Sequence, residues 1–310
     1  MINLIRYSLL SAIIFLFIAC GGGGGGSSSG TLSISLTDAP VDSAEAVVIF
    51  VTGATIQAGD GTRTTVAVND PLTNKPGRSI DLLKLTGSKS VLLFTDVMTA
   101  QDYSWIRLDV DLSPQKSYIQ IAGNQYALTC NSCLQNGIKV NRSFTVSADA
   151  TQAFVLDFDL RKSITDPQSN NTYKLRPTIR MVAANAAGNI SGSVDGTLIS
   201  QLGGVTGCSV YVYQGQVTPD DIYLPDTGSV PTTHINPVTV ANVSLDTTTM
   251  TYSYDAAYLP AGTYTVSLTC EAENDNTPLD DVIAFTQTRV VTVTAGSSTT
   301  VNYTVPVTVP

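Results

Sequence analysis

TLSISLTDAPVDSAEAVVIFVTGATIQA, residues 31–58, is the stretch on which the fold turns. Leu32, Ile34 and Leu36 alternate with Ser33, Ser35 and Thr37, a period of two that puts the apolar side chains on one face of an extended strand. Asp38, Ala39 and Pro40 end that run, and a second one rich in Val, Ile and Thr fills 46–58. Working outward, the pattern recurs in WIRLDVDL (105–112), YIQIAG (118–123), FTVSAD (144–149), AFVLDFDL (153–160) and KLRPTIRMVA (174–183). Turn signals such as Gly59-Asp60-Gly61, Asn69-Asp70-Pro71 and Asn136-Gly137 separate the runs. Only IDLLKLTG (80–87) reads as a short helix or 3₁₀ turn. The expected class is all-β.

A boundary falls near Ala183–Gly188. Beyond it strand candidates continue: GNISGSVDGTLI (188–199), CSVYVYQG (208–215), VTVANVSLD (238–246), TMTYSYDA (249–256), GTYTVSLTCEA (262–272), AFTQTRVVTVTA (284–295) and STTVNYTVPVTV (298–309). A loop with Pro219, Pro225, Pro231 and Pro237 spans 216–237. Pro306 and Pro310 confine the last run to a sheet edge or bulge. Two antiparallel β-sandwich domains in tandem are expected, 31–185 and 186–310. One local stretch occurs in both: VMTAQDYSWIRL (97–108) and YLPAGTYTVSL (258–268) each place a turn before a tyrosine, Tyr103 or Tyr264, that opens a strand. Related topologies are the implication.

The 310 residues carry a formal charge of -9, and residues 188–310 hold one base, Arg289, against eleven acids. Residues 31–187 hold fourteen of each sign. Such a balance argues against nucleic acid as a partner. The single histidine, His234, excludes any metal site built on several imidazoles, and its place in the proline-containing loop predicts an exposed side chain.

Residues 1–19, MINLIRYSLLSAIIFLFIA, place Arg6 before an apolar run of signal-peptide length. Cys20 follows directly, as in a bacterial lipoprotein signal, whose cysteine carries fatty acyl chains such as palmitate; an ordinary signal peptide is the alternative. GGGGGGSSSG (21–30) is a flexible tether with a reach of about 15–20 Å. No Asp follows Cys20, which resembles the sorting pattern for the outer membrane. The expectation is a lipid-anchored protein of the cell envelope, held by membrane lipid through Cys20.

Without Cys20, four cysteines remain, an even number that suits an oxidising compartment. The simplest pairing is Cys130–Cys133 and Cys208–Cys270. The CNSC motif also invites a redox reading, but YALTCNSCLQNGIKV reads as strand, stapled loop, strand, without a βαβ setting.

The first domain resembles the bacterial lipoprotein family known as domain of unknown function 4382. The resemblance rests on SLTDAPVDSAEAVVIFV with Leu36, Thr37, Asp38, Ala39, Pro40 and Asp42, on IDLLKL (80–85), on YSWIRLDVD (103–111) with Arg107, and on LDFDLRKSI (156–164) and YKLRPTIRMV (173–182). It covers residues 31–183. The family pattern has Pro-Ala-Gly where this chain has Thr99-Ala100-Gln101. The resemblance implies location and architecture but no activity. The second domain resembles the carboxypeptidase regulatory-like, or transthyretin-like, sandwich through GNISGSVDG, LPAGTYTVSLT and VVTVTAGSSTTVNYTV. Such domains are accessory modules in surface proteins.

Several residues invite a chemical role. Asp38 and Asp42 bracket Pro40; each is either a turn aspartate accepting backbone N–H groups or a calcium ligand. Asp109 and Asp111 share one face of a strand with Arg107, and Asp157 and Asp159 share one face of another. Leucines and Phe158 mark the opposite face as core, so these carboxylates face solvent or a groove. They form an ion-pair ladder with Arg107, Arg161, Lys162, Arg176 and Arg180, or a metal site. Trp105 packs against a neighbour or stacks on a sugar. Tyr211, Tyr213, Tyr252, Tyr254, Tyr258 and Tyr264 supply a protein or glycan contact face. Ser104 and Ser163 have no activating partner by spacing. No catalytic set and no cofactor is expected, calcium apart. The leading reading is a non-enzymatic envelope protein. The alternatives are a calcium- or carbohydrate-dependent adhesion module and, behind it, an envelope hydrolase.

Overall fold

The two runs that open the chain are strands of different sheets, Ser29–Ala39 and Ala46–Ala58. In this computed structural model, which describes residues 28–39, 44–165, 172–225 and 228–305, strands form four sheets. The first sheet has the order Ile179–Ala183, Thr151–Asp159, Ser29–Ala39, Val91–Thr99. The second is built on Ala46–Ala58, flanked by Gln101–Asp111 and Tyr118–Ile121, and continues through Asn124–Thr129 and Thr172–Leu175. Leu32, Ile34 and Leu36 from one sheet meet Val47, Ile49, Val51, Ile106 and Leu108 from the other in a single core. The alternation seen in sequence is the alternation of these inward faces.

The third sheet runs Ser244–Asp246, Thr251–Pro260, Ala187–Val194, Ser298–Thr300; the fourth runs Thr239–Asn242, Ser209–Gln214, Gly262–Thr269, Thr286–Val293. Their core holds Ile190, Val210, Val212, Tyr264, Val266 and Leu268. The Ser298–Thr300 strand lies at an edge, while Pro306 and Pro310 lie outside the described residues. Most pairings are antiparallel. Among the described residues three strand pairings are parallel, including Ser29–Ala39 with Thr151–Asp159 and Ala187–Val194 with Ser298–Thr300.

These parallel pairs expose the kinship hinted at by the tyrosine stretches. In each half the first strand lies between an antiparallel partner and a late parallel one. The antiparallel partner then passes through a tight turn into the opposite sheet, at Thr99–Gln101 and Pro260–Gly262. Tyr103 donates its hydroxyl hydrogen to the Thr99 carbonyl at 2.9 Å, and Tyr264 donates to the Pro260 carbonyl at 2.8 Å. Each tyrosine thus ties the strand it opens to the residue four positions back, across the sheet change.

Three expectations about elements change. GNISGSVDGTLI is not one strand: Asp195 accepts from the Thr197 amide at 2.7 Å and caps a helix, Gly196–Gln201, whose Leu198 and Ile199 enter the core. The CNSC segment is a helix, Asn131–Asn136, with Cys130 as its cap. KLRPTIRMVA splits at Pro177 into Thr172–Leu175 and Ile179–Ala183, as a residue lacking an N–H requires. IDLLKLTG does contain a 3₁₀ turn, Leu82–Leu85. Cys130 is bonded to Cys133 and Cys208 to Cys270.

Candidate functional site

The aspartates singled out from sequence do not converge on one site but divide between two sheets. Asp109 and Asp111 stand in the second sheet; Asp38, Asp157 and Asp159 stand in the first; Asp42, like Cys20, lies outside the described residues. Asp109 pairs with Arg107 at 2.8 Å, and Thr55 donates to Asp109 while accepting from Arg107. Asp111 pairs with Lys116 at 2.7 Å, and that ammonium, with the Ser113 amide, holds its carboxyl down at about 2. Asp157 pairs with Arg180, although burial still pushes its carboxyl above the ordinary range. Asp159 pairs with Lys162 at 2.7 Å and caps the turn Leu160–Ser163.

Asp157 and Asp159 depart from expectation in one respect: they are buried, 5% and 7% exposed, rather than facing solvent or a groove. The C-terminal half covers that side. Lys162 donates to the Pro237 carbonyl at 2.6 Å, and Thr37 and Asp157 share a small cleft with Thr239, Val240 and Tyr258. Asp38 is buried beside the same cleft.

Other candidates are also used in building the fold. Ser163 donates to the Asp159 carbonyl and accepts from the Thr178 amide. Trp105 is flanked by the Arg63 and Lys139 cations, 5.4 and 4.5 Å from its ring. The tyrosine contact face is not formed. Tyr211 and Tyr213 are buried because loops cover the outer side of Ser209–Gln214 and make a second small core with Ile222, Val240 and Ala272, while Tyr254 and Tyr264 are buried in the sandwich core.

Those covering loops carry the cluster that the structure does assemble. The Tyr211 hydroxyl donates to Asp275 at 2.6 Å, and Tyr213 donates to the Asp220 carbonyl. The Asp281 amide donates to Asp221 Oδ2 at 2.6 Å, the Asn276 amide donates to Asp281 at 2.7 Å, and the Ile222 amide reaches Asp275 at 3.2 Å. His234 stacks edge-on against Tyr223, with its side chain only 5% exposed; it is packed, not the solvent-facing loop residue expected. Its Nδ1 lies 3.1 Å from Asp220 Oδ2 and 3.7 Å from Asp221 Oδ1, and its Nε2 lies 3.1 Å from the Asp221 carbonyl oxygen. Donor atoms of Asp220, Asp221 and His234 lie within 4.8 Å of one another, as do those of Asp221, Asp275 and Asp281. Burial, reinforced by Asp275, pushes the Asp221 carboxyl up to about 6, against the Asp281 amide and His234. Asp275 is raised too, by burial against the Tyr211 hydroxyl.

Spacing could not reveal this cluster, since its members span 220–281 in irregular segments without period. The available signal was compositional: the sole histidine shares a loop with Asp220-Asp221, and the acidic half repeats the doublet at Asp280-Asp281.

Comparison with curated proteins finds no match. Among solved structures, the TIE protein of Bacillus anthracis is 11% identical with a TM-score of 0.20; the match covers 89% of this chain and 33% of that one, so this chain spans about a third of it. The minor pilin of Streptococcus agalactiae is 11% identical with a TM-score of 0.20, covering 90% of this chain and 98% of the pilin. The fimbrial anchor protein of Porphyromonas gingivalis is 10% identical with a TM-score of 0.17, covering 86% and 99%. Residues 29–177, the span of the first two sheets up to Pro177, match the family model described as Domain of unknown function (DUF4382).

Proposed function

We propose that the chain is a non-enzymatic protein of the cell envelope, lipid-anchored through Cys20, that holds two β-sandwich domains, 31–185 and 186–310, off an outer-membrane surface for binding or structural use. The second domain acts as a transthyretin-like accessory module. The observation that carries the reading is the bonded junction between the halves. Asp255 accepts from the Ser88 amide at 2.8 Å, Tyr258 donates to the Ser88 carbonyl at 3.0 Å, and Arg161 donates to the Ala272 carbonyl at 2.9 Å. Arg161 is buried at this junction, and its charge is spent on tying the two halves together rather than on turnover. The Gly/Ser run after Cys20 supports an anchor that leaves such a body free to face outward.

The test is detergent phase partition with radiolabelled palmitate in the native host. Wild type should carry label and enter the detergent phase; Cys20→Ala should carry none and stay aqueous. Equal partition of the two, or an unlabelled wild type, refutes the anchor.

A further inference from the structure

We infer that His234, Asp220 and Asp221 form a site for a divalent ion of the zinc type, a site independent of the anchoring proposed above. The argument begins with the imidazole. Its Nε2 lies 3.1 Å from the Asp221 carbonyl oxygen, and a carbonyl can only accept, so this contact assigns the proton to Nε2. Nδ1 is then the ring atom turned towards the carboxylates. That atom faces Asp220 Oδ2 at 3.1 Å and Asp221 Oδ1 at 3.7 Å.

Asp221 Oδ1 is buried and accepts no hydrogen bond, although its residue is only 1% exposed. Nδ1 and two carboxylate oxygens therefore converge, and the buried oxygen accepts no hydrogen bond. Such an arrangement calls for a cation among them. Metal bonds of about 2.0–2.2 Å at tetrahedral or octahedral angles put neighbouring donors about 2.8–3.6 Å apart, beside the 3.1 and 3.7 Å from Nδ1 to the two carboxylate oxygens.

The surroundings are those of a metal site. A ligating imidazole gives its second N–H to a carbonyl, as His234 does. Asp221 Oδ2 is fixed by the Asp281 amide, which leaves Oδ1 as the free ligand atom. Asp275 and Asp281 add negative charge behind Asp221. The Asp220 side chain is 42% exposed, which gives an ion an entry path and room for water as a further ligand. One imidazole with two carboxylates favours a first-row ion over calcium, which takes six to eight oxygens. An ion here would clamp the 216–237 loop over the buried tyrosines.

The experiment uses the full-length chain purified in detergent without a histidine tag and stripped with a chelator. Zinc is titrated by calorimetry, and cobalt serves as a visible-absorption probe of the donor set. One zinc per chain is expected, with cobalt bands of a low-symmetry N/O site and no displacement by equimolar calcium. Asp220→Asn, at a half-exposed position, and His234→Gln should each weaken zinc by at least about tenfold while circular dichroism stays unchanged. Asp246→Asn, an exposed turn acid elsewhere, should leave affinity unaltered. No zinc binding, affinity unmoved by Asp220→Asn, or displacement by equimolar calcium overturns the assignment.

Discussion

Replacing Cys208 and Cys270 together by alanine should be far more damaging than replacing Cys130 and Cys133. The two bridges differ in the loop they close: 62 residues of separation against 3. In the chain-entropy model, the longer loop removes about 14 cal/mol/K from the unfolded ensemble, or about 4 kcal/mol at 25 °C, and the shorter one about 1.6 kcal/mol. Packing adds to both figures, because Cys208 lies in the core with Val210 and Leu268 while Cys130 and Cys133 lie in the core of the first two sheets, so the difference rests on the loop lengths. The assay is urea unfolding of the wild type and both double variants, read by two probes. The sole tryptophan, Trp105, reports on the second sheet; the near-ultraviolet dichroism of buried Tyr211, Tyr213 and Tyr264 reports on the fourth. C208A/C270A should lower the tyrosine transition by about 4 kcal/mol and the tryptophan transition by less. A cost below about 1 kcal/mol, or an equal cost for the short-loop pair, would refute the entropic reasoning.

Tyr103→Phe and Tyr264→Phe should each cost about 1 kcal/mol in chemical denaturation, since each deletes one hydroxyl bond at a sheet-to-sheet turn and keeps the ring. Arg180→Ala leaves the Asp157 carboxylate buried without its guanidinium; with Arg180 itself 23% exposed, about 2–3 kcal/mol is expected, below the figure for a wholly buried pair, and Asp157→Asn in the same background should recover part of it. Asp111 should titrate near 2 by carboxyl NMR and Lys116→Met should move it towards 3.8; a lowered carboxyl contributes stability above its unfolded pKa, so that contribution is lost as pH falls from about 4 to about 2, and the variant should show a shallower slope, with the Ser113 bonds keeping the remainder. Gly192→Ala places a methyl against the Val301 carbonyl and should cost about 1–3 kcal/mol while loosening amide-exchange protection along 298–303.

How far the sequence can be read depends on where each residue's partner comes from. Leu32, Ile34 and Leu36 announce their own strand, because period two is a local property that the sheet then uses unchanged. The Tyr103 and Tyr264 stretches are legible for a similar reason: the bond runs to the residue four positions back. Gly196–Gln201 escapes because Leu198-Ile199 extends an apolar run that a strand would use equally well, and only the Asp195 cap decides. The burial of Asp157 and Asp159 escapes for a third reason. Their strand has a correct core face, but what covers the other face comes from residues 237–258, which no local pattern announces. The candidate ion site is the extreme case, because His234 meets Asp220 and Asp221 within an irregular loop that has no period to announce it.

The two halves share charge across their junction. Residues 188–310 have Arg289 alone against eleven acids, so the C-terminal half cannot neutralise its own buried carboxylates. Arg161 and Lys162 come from the balanced half and reach across, to the Ala272 and Pro237 carbonyls. Arg161 lies near enough to Asp275 to draw its carboxyl down against the larger effect of burial. The two cations thus touch both segments that bear the His234 cluster: Pro237 ends the loop of Asp220 and Asp221, and Ala272 begins the turn of Asp275. Separating the halves would return Arg161 and Lys162 to water, which limits how strongly the junction binds, but it would also remove positive charge from a cluster of carboxylates. The acidic cluster and the junction are therefore linked through Arg161, which bonds the Ala272 carbonyl and draws the Asp275 carboxyl down.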